Sequence, residues 1–162
     1  MLVLAAALSR GPDRFTVDPA RSTLTLRTGR AGLFKFAGHD HEIRAMAMTG
    51  EVRADPEHLA ASGVSLRVEA ARLTVQPADE PPDDVPKVQG RMMGPELLDV
   101  AHFPEISFRS ANVTGRRVAE DGFDLVIEGD LSLHGVTRRM TLQLRASLEG
   151  DTLTATGELA GS

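Results

Sequence analysis

Residues 123–148 read FDLVIEGDLSLHGVTRRMTLQLRASL, and the alternation in this stretch decides the fold class. Phe123, Leu125, Ile127, Leu131 and Leu133 share one parity, with Gly129 among them, while Asp124, Glu128, Asp130 and Ser132 take the other. The second run repeats the rule, with Met140, Leu142, Leu144, Ala146 and Leu148 set against Thr141, Gln143, Arg145, Ser147 and Glu149. Successive side chains of a strand point to opposite faces, so a period of two over this length describes antiparallel sheet with one apolar and one wet surface. The connection His134-Gly135-Val136-Thr137 supplies a glycine where the chain reverses, and Arg138 and Arg139 then enter the second strand of a long hairpin.

Working outward, the same signature recurs. Ser22 to Thr28 places Leu24 and Leu26 on one face, Val64 to Ala70 does so with Val64, Leu66 and Val68, and Ile106 with Phe108 forms a short third example. Phe15 and Val17 open a strand that ends at Asp18-Pro19; Leu73 and Val75 extend the Val64 strand after a bend; Thr152 to Leu159 reads as a last strand. Between residues 77 and 104 the pattern breaks. Pro77, Pro81, Pro82 and Pro86, with Asp79, Glu80, Asp83 and Asp84, make an acidic loop that cannot pair in a sheet. Met92, Met93, Leu97 and Leu98 then follow at roughly helical spacing, interrupted by Gly94-Pro95, which predicts a short helical cap over about residues 85–98. About eight strands with one helical interruption predict an all-β antiparallel barrel or sandwich, and a barrel of about eight strands can hold one small ligand.

A chain of 162 residues is most simply one domain with a real core. The absence of cysteine removes disulfides, thiolate metal sites and cysteine-dependent catalysis together. A net charge of -5 argues against nucleic acid, and with no Trp or Tyr and six Phe, stacking platforms are scarce. An internal pocket is therefore aliphatic, suited to a hydrocarbon and poor in directional contacts. Residues 1–12 read as a flexible N-terminal segment and 13–162 as a single barrel domain. Met1 to Leu8 is apolar, and Ala5-Ala6-Ala7 resembles a cleavage site, so this segment reads either as a remnant of an export signal or, equally, as a disordered tail or a first strand. No stretch is long enough for a transmembrane helix.

Four segments together resemble the YceI-like family, the polyisoprenoid-binding, lipocalin-like proteins of bacteria. They are Phe15-Thr16-Val17-Asp18-Pro19 with Arg21-Ser22; Gly38-His39-Asp40-His41; Leu98-Asp99-Val100-Ala101-His102-Phe103-Pro104-Glu105-Ile106-Ser107-Phe108; and Gly129-Asp130-Leu131-Ser132-Leu133-His134-Gly135-Val136-Thr137. The resemblance runs over residues 15 to 159 and implies an extended lipocalin-like barrel around a hydrophobic tunnel. It further implies an isoprenoid lipid or quinone as partner, a periplasmic or secreted location, and roles in transport and stress response. Relatives commonly continue past the strand matching Thr152 to Leu159 with a turn and a final strand, where this chain ends at Gly161-Ser162. Either the sequence is truncated here or the barrel lacks its closing strand, and an uncovered edge would be free to pair with another chain in a homodimer.

Candidate ligand-binding positions are the inward faces of the strands, Leu24, Leu66, Val68, Phe108, Phe123, Leu125, Ile127, Leu142 and Leu144. To these are added Phe34 and Phe36 at the tunnel entrance, Met92, Met93 and Leu97 as an adaptable lid, and His39 and His41 at the mouth. The two histidines, two apart, share one strand face. They offer either a pair of imidazole ligands to a metal or redox centre or, in the main reading, a turn contact and a mouth contact. His134 reads as a donor to turn carbonyls, His102 as a helix cap and His58 as a surface residue. Lys35, Arg30, Lys87 and Arg91 are the cations available to a phosphate head group. There is no Gly-x-Ser-x-Gly elbow, phosphate-binding glycine loop or His-Glu-x-x-His signature, so the chain reads as a non-enzyme with no cofactor.

Overall fold

The computed structural model describes residues 2–8, 14–28, 41–77 and 81–160, and among these there are eleven strands and one α-helix. The alternating stretch forms β9 (Gly122–Leu133) and β10 (Val136–Glu149), paired along their whole lengths, with Leu142 opposite Ile127 and Leu144 opposite Leu125. Their turn is tighter than the sequence suggests. His134 and Gly135 alone make it, at φ +51° and +69°, the left-handed pair that a two-residue hairpin matching strand twist requires. On the solvent face Arg139 meets Asp130 at 2.8 Å, and Arg116 and Arg145 flank Asp124 at 3.6 and 3.5 Å. Exposed pairs of this kind contribute little, so the inward apolar face sets the register.

Flanking this hairpin are β8 (Glu105–Arg117) and β11 (Thr152–Ala160), which complete a four-strand meander. β8 is far longer than the short Ile106–Phe108 stretch expected. The reason is a bulge between Ser110 and Asn112, which shifts the register against β9. One extra residue reverses parity, so the inward side chains are Phe108 before the bulge and Val113 after it.

The rest of the sheet consists of shorter pieces: β2 (Arg14–Val17), β3 (Thr23–Thr28), β4 (His41–Ala45), β5 (Thr49–Arg53), β6 (Gly63–Glu69) and β7 (Leu73–Val75). β2 pairs with β5 and β3 with β4; β5 pairs with β6 and β4 with β7. Each consecutive couple, β2 with β3, β4 with β5 and β6 with β7, is therefore one long strand broken in the middle. At the β4–β5 break Ala47 adopts φ +57°, and the neighbouring Met48 is buried.

Residues 2–8 are strand β1 (Leu2–Leu8), not a flexible segment. Leu2 to Ala7 pair with Gly157 to Thr152 of β11, while the other edge of β1 pairs with β2 and β3. The pairings run in a closed ring, β11-β10-β9-β8-β6-β5-β2-β1, with β3, β4 and β7 extending from β1. The open β11 edge expected from the sequence is thus corrected: β1 takes that seat. The fold is a strongly curled antiparallel barrel of the lipocalin-like kind.

The acidic proline-rich loop leads into α1 (Val85–Met93), shorter than the 85–98 cap expected because Gly94 turns extended. Pro86 is tolerated in the first turn, where its missing N–H has no helical partner. Met92 is fully buried against the sheet. Gln89 closes the free edge of β7: Val75 N–H donates to Gln89 Oε1 and Gln89 Nε2 donates to the Leu73 carbonyl, each at 2.8 Å. One side-chain amide thus stands in for a neighbouring strand.

Candidate functional site

Curling brings the apolar faces of the ring strands together around a lumen, and two cavities lie along it. The larger, about 80 Å³, is bounded by Val64 and Leu66 of β6, Val113 of β8, Phe123, Leu125 and Ile127 of β9, Leu142, Leu144, Ala146 and Leu148 of β10, and Leu153 and Ala155 of β11. The other, about 60 Å³, is bounded by Leu24, Met48, Leu66, Val68, Ile106, Phe108, Leu131 and Leu142. All nine inward-facing positions expected from alternation therefore line one cavity or both.

Glycines shape this wall. Gly115, Leu125, Leu144 and Gly157 form one row across β8 to β11. A Cβ at Gly115 would lie 2.8 Å from Leu125 Cδ2, and one at Gly157 would lie 2.5 Å from Leu144 Cδ2, so each leucine lies over its glycine neighbour.

One end of the larger cavity is closed by the loop of residues 54–62, which adds Ala54, Pro56 and Leu59 to the apolar wall. Arg53, Asp55 and Ser62 are the polar residues at that end. Asp55 orders the loop: its Oδ1 accepts from the backbone N–H groups of Glu57 and His58 at 3.1 and 2.9 Å, while Asp55 N–H donates to Ser62 Oγ at 2.9 Å. Arg53 Nε donates to the Ala61 carbonyl at 3.0 Å. Arg117 ties the loop to β8, reaching Glu57 at 3.2 Å while its guanidinium sits 5.1 Å from the centre of the Phe123 ring. Alternation could not find these loop residues, because their position depends on contacts with distant strands; the signal available was the Asp55-Pro56 turn itself.

Residues 15–162 match the YceI-like domain. The chain belongs to the YceI-like family. It is 43% identical over 56 residues to a UPF0312 protein of Enterobacter sp. strain 638 and 39% identical over 56 residues to Protein YceI of Escherichia coli. Each match covers 35% of this chain and 27% of the relative. Among solved structures it is similar to Burkholderia cenocepacia BcnA, with TM-score 0.56 and 10% identity over 99% of this chain and 96% of that one. It is also similar to a mutant of the Campylobacter jejuni YCEI protein, with TM-score 0.50 and 8% identity over 74% of this chain and 84% of that one. At these identities the solved structures show the fold.

Two of the YceI-like segments, 98–108 and 129–137, meet at the end of the barrel opposite the 54–62 loop. His134 Nδ1 donates to the Leu97 carbonyl, so it ties the segment after α1 to the hairpin instead of satisfying its own turn. Its ring lies 5.0 Å from that of Phe103, whose edge would be 2.6 Å from a Cβ at Gly135. His102 is not a helix cap; its Nδ1 pairs with the Asp99 carboxylate at 2.9 Å. His58 is exposed, as expected. Met92 and Leu97 are buried and Met93 packs beside them, and none lines either cavity, so the methionine lid is helix packing.

Phe34, Phe36, His39, Lys35 and Arg30 lie outside the described residues, and for His41 the description extends to its backbone, paired with Thr28. Lys87 and Arg91 form surface ion pairs with Asp84 and Glu96 away from both cavities. Among the described residues no three His, Asp or Glu side chains group as a metal site, and no helix is long and apolar enough to cross a membrane.

Proposed function

We propose that this chain is a non-catalytic carrier of an amphiphilic isoprenoid, a polyprenyl or quinone lipid, acting in the periplasm or outside the cell. The observation that carries this reading is the larger cavity, lined by apolar residues throughout except for Arg53, Asp55 and Ser62 at one end. A molecule with one oily and one polar end fits such a wall. Each buried CH₂ contributes about 0.8 kcal/mol before ordering costs, so a few prenyl carbons supply affinity without directional contacts. At the polar end the Ser62 hydroxyl is available to a polar head group. Family membership supports the ligand class and the compartment.

Native mass spectrometry of the protein purified from its own host, followed by solvent extraction, tests the proposal. The expected result is a retained isoprenoid of defined mass, lost in folded Leu125→Asp, which places a charge on the cavity wall. Protein that retains no lipid and instead carries a stoichiometric metal overturns it.

A further inference from the structure

The two cavities lie in series and share two lining residues, Leu66 and Leu142. These belong to β6 and β10, which are not neighbours in the ring but are separated by β8 and β9, so the two leucines approach from different walls of the lumen. Both are buried. Leu66 is held inward by its strand partner, because a Cβ at Gly50 would lie 3.1 Å from Leu66 Cδ2 and the glycine leaves that space to the leucine.

We propose that Leu66 and Leu142 form a partition across the lumen and set the length of hydrocarbon chain that the protein accepts. This rests on the carrier reading and adds a specificity element to it. An apolar cavity of about 150 Å³ accepts benzene, so the larger cavity, about 80 Å³, seats only a few carbons before the chain tip meets the leucine pair. The smaller cavity beyond the pair is apolar as well, with Val68 and Phe108 in its wall, and offers the next carbons the same environment. A well-packed core has few voids, whereas these side chains have free volume on both sides and can rotate into either. A longer chain reaches the second cavity by turning the leucines aside, and the rotamer change offsets part of the gain from the added carbons.

The test is a titration of wild type and Leu142→Ala with geraniol, farnesol and geranylgeraniol, which carry two, three and four prenyl units, read by native mass spectrometry. Wild type is expected to gain little affinity between geraniol and geranylgeraniol. In Leu142→Ala the cavities join, and the ratio of the two affinities should rise at least about tenfold, the worth of roughly two more buried methylenes. Geraniol affinity should rise less than that of geranylgeraniol, because fewer of its carbons extend past the partition. Leu142→Val, a smaller truncation, should move the ratio in the same direction and serves if the alanine variant does not fold. Binding with an unchanged ratio in both variants overturns the partition and leaves the carrier reading intact. Absence of binding by any of the alcohols to wild type and variants alike overturns both.

Discussion

The barrel has two halves built on different principles. In the meander of β8 to β11, strands of nine to fourteen residues run unbroken between tight turns, and one apolar face continues from end to end. In the half made of β2 to β7, no strand exceeds seven residues, and each long strand is interrupted by a bend. The meander is stabilised by its own ladder and cross-strand rows. The broken half depends on devices from elsewhere: β1 along β2 and β3, the amide of Gln89 at the edge of β7, and the Asp55 turn over the lumen. Long regular strands give the lumen a rigid wall, and the bends give it an end that a loop can close.

The largest expected effect breaks the meander. A Cβ at Gly157 would lie 2.0 Å from the Gln143 carbonyl oxygen, a backbone atom fixed in the β10 ladder, and 2.5 Å from Leu144 Cδ2. Neither strand can shift without disturbing Gly115 and Leu125 across the same row. Gly157→Val should therefore cost at least about 3 kcal/mol, an overpacking effect at the upper end of its usual range. Urea unfolding followed by far-ultraviolet circular dichroism measures it. A midpoint within about 0.3 M of wild type would show that the meander is less rigid than its row of glycines and leucines implies.

These halves also differ in how far they could be read from the sequence. β9 and β10 were fully legible because an apolar face opposite a wet one imposes strict alternation, and the same parity placed Phe123, Leu125, Ile127, Leu142 and Leu144 on the cavity wall. β8 became illegible at its bulge, where parity reverses between Phe108 and Val113. β1 carries Leu2-Val3-Leu4-Ala5-Ala6-Ala7-Leu8, apolar at every position, so periodicity cannot separate a strand from an export remnant. In the broken half, the left-handed residue Ala47 stops the alternation between Ala45 and Val52. The loop end of the cavity was the least legible part of the site: Asp55 and Ser62 come together through a loop whose polar pattern resembles any surface turn, and of the expected cations Lys87 and Arg91 lie away from it.

A smaller effect probes the broken half directly. Gln89→Ala leaves Val75 N–H and the Leu73 carbonyl without their partner at a half-buried edge. The expected loss is about 2 kcal/mol, the cost of leaving such groups unsatisfied. Hydrogen exchange locates it: amide protection should fall in β7 and at its partner β4, while β9 and β10 keep theirs. Uniform loss of protection over all strands would mean that the halves unfold as one unit, and the contrast between them would be one of geometry alone.

The smallest effect runs in the opposite direction and sharpens the comparison at α1, the element that carries Gln89. Gly90 is exposed on this helix, and a Cβ there would meet nothing within 4 Å. Glycine in a helix interior is disfavoured relative to alanine by roughly 0.8–1 kcal/mol, because it loses more backbone freedom on folding. Gly90→Ala should therefore stabilise by about that amount. Where the gain is read distinguishes two couplings. If the urea midpoint of the whole protein rises, α1 unfolds together with the barrel, and the edge of β7 is as strong as the global fold. If protection rises only at helical amides such as Val88 N–H, which donates to the Asp84 carbonyl at 2.9 Å, then α1 opens on its own. In that case Gln89 leaves β7 each time the helix frays, and the broken half is the end at which the barrel first opens.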